Sequence, residues 1–312
     1  MKRIKGKMKA FFVFSGQGAQ AVGMGRDLYD TCAAAKRVFD EADAVLGYKL
    51  SEIVFNGPME KLTESLYCQD AIYTMSCACL AAFREKFPNV KPMACAGLSL
   101  GEYGALYCAG AFDFATGAKL LAARGKLMDE ACRKTNGAMA SVLGGDPAVI
   151  AEVCSQIDID VANYNCPGQI VISGEKAKVD AAVAELKNRG MRKVIVLNVA
   201  GAFHSRLMRE AGEKLAAVLA EAKIGLPAVP VYHNFTADAA SSVEELKNNL
   251  TRQVAGSVRW EDCVRRAAAA GADTVIEFGP GSVLTGLVRR TVPEMKLVNI
   301  NGAAPLEAAA LE

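Results

Sequence analysis

Short apolar runs alternate with longer segments whose apolar residues recur at helical spacing, and the alternation continues along most of the chain. Phe11 to Phe14 reads as a first strand ending at a glycine-rich turn. Gln69 to Phe87 reads as a buried helix closed by Pro88, Met93 to Leu98 as a second strand, and Leu100 to Ala109 as a helix directly after it. Asp113 can cap a further helix running to about Ala131, because its carboxylate accepts amide hydrogens that a first helical turn leaves unpaired. Strands alternating with helices in this way predict an α/β fold with a mostly parallel sheet.

The middle of the chain changes character. Ala138 to Leu143 is strand-like, Pro147 to Ser155 helical, and Asp160 to Tyr164 and Gln169 to Ser173 are strands joined by the turn-forming Asn165-Cys-Pro-Gly168. Lys176 to Arg189 follows as a helix and Lys193 to Val199 as a strand, which completes the βαββαβ order of a ferredoxin-like unit. Strand and helix signals resume at Val229 to Tyr232, Val243 to Val254 and Thr274 to Phe278, so the unit is expected to be an insertion. The expected boundaries are 8–132 and 200–302 for a discontinuous core and 133–199 for the inserted subdomain. Residues 1–7 read as an N-terminal extension ahead of Met8, and 303–312 as a tail outside the predicted domains.

Composition narrows the function classes. With 52% hydrophobic and 22% charged residues, the 312-residue chain can bury a sizeable core. A formal net charge of +2 gives no reason to expect nucleic acid as a partner. No apolar run approaches the ~18 residues of a membrane span, and the basic start has too short an apolar stretch for a signal peptide. Cys77, Cys79, Cys95, Cys108 and Cys154 lie inside apolar runs, where thiols behave as small hydrophobes. No zinc-type spacing is present, so reduced thiols in the cytoplasm, with no metal and no cofactor, are expected.

Gly97-Leu98-Ser99-Leu100-Gly101 places a serine between a predicted strand and a predicted helix, with glycines at −2 and +2. That is the arrangement of a nucleophile elbow, in which small flanking residues relieve the crowding of a sharp turn. Ser99 and Glu102 also fit an S-x-x-E capping box, which accounts for the serine and the glutamate but not for the two glycines. His204 and His233 are the only histidines and therefore the only imidazole bases for Ser99. His204, in Gly201-Ala-Phe-His204-Ser205 past a predicted strand end, is preferred. Arg124 falls on the helical face of Leu120, Leu127 and Ala131, where a guanidinium either finds an anionic partner, an acidic side chain or a ligand carboxylate, or snorkels to solvent. Gly16-Gln17-Gly18-Ala-Gln-Ala21 fits a dinucleotide-binding turn, and glycines there serve equally to bring backbone amides near an oxyanion.

Together these segments resemble the malonyl-CoA:acyl carrier protein transacylases, from about Met8 to Gly302. Phe14-Ser-Gly-Gln17-Gly18 resembles the family's F-P-G-Q-G with serine for proline, and Gly97-Leu-Ser99-Leu-Gly-Glu-Tyr103 resembles G-H-S-L-G-E-Y with Leu98 for histidine. Arg124-Gly125 with Met128, the His204 segment, Asn165-Cys-Pro-Gly-Gln169 and Glu277-Phe-Gly-Pro-Gly281 extend the similarity. The resemblance implies a hydrolase-like core, Ser99 as nucleophile and His204 as base. It also implies an oxyanion hole from the amides of Gln17 and Leu100, Arg124 as carboxylate holder, and the Gln253 carbonyl as the group orienting His204. The implied partners are malonyl-CoA and holo-acyl carrier protein. A polyketide-type acyltransferase and a serine thioesterase or esterase share the same dyad, and a nucleotide-binding oxidoreductase stays open on the Gly16 turn.

Overall fold

The computed structural model describes residues 8–311, so the expected extension 1–7 lies outside the described residues. Among the described residues the chain forms eight strands: β1 (Ala10–Phe14), β2 (Pro92–Gly97), β3 (Gly137–Leu143), β4 (Asp160–Cys166), β5 (Gln169–Glu175), β6 (Lys193–Val196), β7 (Thr274–Phe278) and β8 (Lys296–Ile300). They form two four-stranded sheets. The first has the order β2-β1-β7-β8 and is parallel throughout; the second has the order β4-β5-β3-β6 and is antiparallel throughout. The α/β character and the mostly parallel main sheet agree with the sequence pattern.

β1 shows why the main sheet lies in the middle. All five of its residues are buried, and successive side chains enter different cores. Phe12 and Phe14 join Phe83 and Phe278 on one face, while Phe11 and Val13 join Trp260, Val264 and Val288 on the other. The first face is covered by helices Ser65–Lys86 and Gly101–Cys108, with Phe114–Lys134 packed on the outer side of Ser65–Lys86, and the second by Trp260–Ala269 and Val283–Thr291. Phe12 meets Phe278 edge-on at 5.0 Å between ring centroids, and Phe14 stacks on Phe278 at 5.5 Å. Each such buried phenylalanine contributes about 1.5–3 kcal/mol of transfer free energy.

The second sheet buries Ala140 and Val142 against Ile150, Val153, Val179 and Leu186 from its own two helices, Pro147–Ile157 and Lys176–Asn188. Met139, Ala162 and Val171 belong instead to the core under the main sheet. β4 is also tied to the chain ahead of helix Trp260–Ala269, since Tyr164 N donates to Val258 O at 2.9 Å and Val258 N to Ala162 O at 2.8 Å.

Several expectations are corrected. Val229 to Tyr232 is not a full strand: only Val231 bridges Cys95, because Pro230 has no amide to extend the ladder. The strand expected to reach Val199 ends at Val196. Between Arg26 and Thr63, where the sequence showed only a helix-like stretch around Asp40 and Glu41, the chain forms four helices, of which Ala33–Leu46 is the longest, separated at Cys32, Gly47 and Gly57-Pro58. The packed fold also continues past Gly302. Ala303–Ala308 is a helix whose Leu306 is buried, its start held by Ala303 N donating to Asp27 Oδ2 at 2.6 Å.

Candidate active site

Because β1 and β2 are parallel neighbours with Phe14 opposite Gly97, the two loops that follow them leave the same sheet edge side by side. In open parallel sheets that carboxyl edge is where sites form. Ser99 sits there with φ 53°, a left-handed conformation costly for a side chain with a Cβ. The flanking glycines are sterically required. A Cβ on Gly97 would overlap the Gly101 carbonyl, and one on Gly101 would overlap Phe14 O. Gly16 serves the neighbouring loop, since a Cβ there would lie 2.7 Å from Leu98 O.

The capping-box reading fails here. Glu102 does not reach back to the Ser99 amide; that amide donates to Asn234 Oδ1 at 2.6 Å. The Asn234 Nδ2 group donates to Gly97 O at 2.7 Å, so one amide side chain spans the elbow on both sides of the serine.

His204 is the base candidate that the structure brings to Ser99. Its Nε2 lies 2.7 Å from Ser99 Oγ and its Nδ1 2.8 Å from Gln253 O. A carbonyl only accepts, so the proton is on Nδ1, which leaves the Nε2 lone pair facing the hydroxyl. His204 has φ 56° and is 5% exposed. Its pKa is pushed down to about 4, first by burial and then by the positive charge of Arg124, so the ring is neutral and able to accept a proton. His233 is elsewhere: fully buried, it meets Glu102 Oε1 through Nδ1 at 2.6 Å.

Arg124 is 1% exposed. Its Nη1 donates to Gln69 Oε1 at 2.6 Å, and its Nη2 donates to Gln253 Oε1 at 2.9 Å and to Ser99 Oγ at 3.0 Å. Nε has no partner among the described residues, and the guanidinium carbon lies 5.9 Å from the Tyr103 ring centroid. Of the two anionic partners open to it in the sequence, an acidic side chain is not present: no carboxylate makes an ion pair with Arg124 among the described residues. Burial pulls its pKa below the usual guanidinium range.

The structure therefore gathers Ser99, His204, Arg124 and Gln253 within hydrogen-bonding distance of one another. Gln17 follows β1 and Leu100 follows Ser99; neither amide donates to a protein acceptor among the described residues. Asn234, Gln69 and the side chain of Gln253 had no motif to announce them, and Glu102 was visible as a cap and as part of the serine motif but with no role in the site. Both departures from the family's motifs have local partners. Ser15 Oγ donates to Phe278 O and Pro280 O at 3.3 and 3.1 Å, and Leu98 packs against Gly16. The Gly16–Ala21 turn does not enter a helix; the next one begins at Arg26, so the dinucleotide fingerprint lacks its helix N-terminus. Among the described residues no group of three His, Cys, Asp or Glu side chains is placed to hold a metal ion, and no helix is long and apolar enough to cross a membrane.

Comparisons with known proteins agree with this geometry. The acyl transferase domain family matches residues 11–309. A malonyl CoA-acyl carrier protein transacylase of Bacillus subtilis (strain 168) is 41% identical over 306 residues, covering 96% of each chain. A crystal structure of an acyl carrier protein S-malonyltransferase from Vibrio cholerae O1 biovar eltor superposes with a TM-score of 0.93 at 39% identity, covering 96% of this chain and 99% of the other. A malonyl-transacylase solved in complex with its type II polyketide-synthase acyl-carrier protein has a TM-score of 0.93 at 37% identity, covering 96% and 98%. The strand–serine–helix elbow, its histidine and the full-length similarity lead to one assignment: the chain belongs to the acyl transferase domain family, among the malonyl CoA-acyl carrier protein transacylases.

Proposed function

We propose that this acyltransferase moves a malonyl group from malonyl-CoA to the phosphopantetheine thiol of holo-acyl carrier protein through a malonyl-Ser99 intermediate, in fatty-acid biosynthesis. The observation that carries the reading is Arg124, a buried guanidinium with no carboxylate ion pair among the described residues, 3.0 Å from the serine hydroxyl. A neutral acyl group leaves that charge without an anion, whereas the free carboxylate of malonyl matches its planar fork. The malonyl carboxylate displaces the resting contact between Arg124 and Ser99 Oγ and frees the hydroxyl to react.

Ser99 Oγ attacks the thioester carbonyl while His204 Nε2 takes its proton. The tetrahedral oxyanion is held by the amides of Gln17 and Leu100, the second at the start of the helix that follows the elbow. The C–S bond then breaks, and the CoA thiolate leaves with the proton from His204 Nε2. The pantetheine thiol repeats the sequence in reverse, giving its proton to His204 as its sulfur attacks the malonyl ester. The Gln253 carbonyl holds the His204 tautomer throughout, in place of an acidic third member beside Ser99 and His204.

The same reading extends to the architecture and the setting. The main sheet forms a hydrolase-like core over 8–132 and from 200 through the Ala303–Ala308 helix, and 133–199 is a ferredoxin-like insert; the β4-β5-β3-β6 order supports the latter. Ten free cysteines, nine of them buried, support a reducing compartment such as the cytoplasm.

Intact-mass measurement after mixing with malonyl-CoA, without a carrier, tests the mechanism. The expected result is a malonyl adduct that peptide mapping places on Ser99 and that Ser99→Ala lacks. An adduct on cysteine, or full activity in Ser99→Ala, overturns the reading. Adding holo-carrier should convert the adduct into malonyl-carrier rather than free malonate, which separates transfer from thioester hydrolysis.

A further inference from the structure

Glu102 is fully buried. Three donors converge on its carboxylate: His233 Nδ1 at 2.6 Å, the Asn234 amide at 2.8 Å and Gln253 Nε2 at 2.9 Å. Two of those donors belong to residues that hold the reacting groups. Asn234 spans the elbow from Gly97 O to Ser99 N. Gln253 donates to Ser99 O at 3.0 Å, accepts from Arg124 Nη2 through Oε1, and accepts from His204 Nδ1 through its backbone carbonyl. Nucleophile, base and carboxylate holder are thus each one residue removed from a single buried carboxylate.

The orientation of the Gln253 amide decides what Arg124 meets. With Nε2 toward Glu102, Oε1 must face the guanidinium. Reversed, the amide presents hydrogens to Arg124, and both partners are donors without an acceptor. A carboxylate, which only accepts, enforces the first orientation.

We propose that Glu102 is a positioning residue of the transfer reaction: by accepting from Gln253 and Asn234 it sets the orientation of the Gln253 amide, and so the place of Arg124, while fixing the Ser99 elbow. His233 completes the hub as its third donor and is not a second base. The proposal rests on the malonyl-transfer reading given above.

The test is kcat/KM for malonyl-CoA and acetyl-CoA in wild type, Glu102→Gln, Glu102→Asp and Gln253→Leu, with folding checked by circular dichroism and thermal melts. Glu102→Gln brings an NH2 group to a point where three donors converge. Elbow misplacement lowers both substrates, but loss of the Arg124 setting lowers malonyl alone. Malonyl transfer is expected to fall roughly 10²-fold and the malonyl-to-acetyl ratio to contract about tenfold. Glu102→Asp, which keeps an acceptor, should restore part of the ratio. Gln253→Leu keeps the backbone carbonyl for His204 and removes both side-chain bridges, so it must contract the ratio too; it replaces Glu102→Gln should that variant not fold. A purely structural Glu102 would lower the melting temperature and scale both substrates equally. Folded variants whose ratio stays within about threefold of wild type overturn the proposal alone. A wild type with no preference for malonyl over acetyl overturns the transfer reading and the proposal together.

Discussion

At the scale of single residues, the site is an electrostatic compromise between a buried cation and a buried base. Burial, and after it the charge of Arg124, depresses His204 in the free enzyme, and on the proposed reading a bound malonyl carboxylate would offset the second of these. The acidic limb of kcat/KM for acylation, which reports the free enzyme, should lie near pH 4, and the limb of kcat at higher pH. A kcat/KM limb centred near the ordinary histidine value of about 6.5 would contradict the burial argument. The same shift acts on stability. The unfolded chain binds a proton at His204 below about 6.5 and the native chain only below about 4, so native stability falls as pH drops through that window. The loss is about 3 kcal/mol on this linkage, and urea melts of His204→Gln should lack it relative to wild type. For Arg124→Ala, malonyl transfer should drop roughly tenfold to a few hundredfold, since a charge-assisted bidentate contact is worth about 1.5–3 kcal/mol or more. Acetyl transfer should be retained or rise, and Arg124→Lys should recover only part, because an ammonium lacks the planar fork. Equal losses for both substrates would assign Arg124 to the fold instead.

At the scale of elements, the strand–elbow–helix unit was readable in the sequence because its constraints are local. Glycines at 97 and 101 are needed where a Cβ would strike Gly101 or Phe14 backbone, and such spacing survives as a motif. The Phe114–Lys134 helix was readable for the same reason, with Asp113 Oδ1 accepting from Thr116 N at 2.8 Å as its cap. Asn234 and the Gln253 side chain were not readable, because each meets Ser99 from a distant segment and neither residue type declares its partner. Val229 to Tyr232 misled in the opposite sense: its apolar run is genuine, but Pro230 restricts pairing to one bridge. The elbow itself yields a prediction. A non-glycine residue at φ 53° carries about 1–2 kcal/mol of backbone strain. Ser99→Gly and Ser99→Ala both remove the hydroxyl, so their difference isolates the backbone. Chemical denaturation should find Ser99→Gly the more stable by about 1 kcal/mol, in spite of glycine's larger entropy loss on folding. Equal stability would mean that the turn relaxes once the serine is gone.

At the scale of the whole molecule, the two sheets, the loops at the carboxyl edge of β1 and β2, and the chain end form one packed body, and the end is where sequence reading erred most. An alanine-rich finish has no periodicity to mark a core face, so nothing in the sequence separates Leu306 from the rest of the tail. In the structure Leu306 is buried in the same cluster as Phe12, Phe39 and Phe83. Lys86 Nζ donates to Leu306 O and Glu307 O, each at 3.1 Å, and pairs with Glu307 Oε2 at 2.9 Å. Asp27 receives the other end of the short helix through Ala303 N. The exposed Glu307 pair contributes less than about 1 kcal/mol, so the apolar contact dominates. Leu306→Ala removes a buried leucine side chain near the surface, where neighbours can partly collapse, which places the expected loss at about 2 kcal/mol, the low end for such substitutions. Glu307→Ala should cost a few tenths at most. Neither residue touches the Ser99 elbow or the Glu102 hub, so kcat/KM for malonyl-CoA and its ratio to acetyl-CoA should be unchanged in both variants at a temperature where they are folded. Denaturant midpoints and the two rate constants, measured on the same preparations, check both halves. An unchanged midpoint in Leu306→Ala would restore the view of 303–312 as an appendage, and a changed substrate ratio would show that the chain end is coupled to the site.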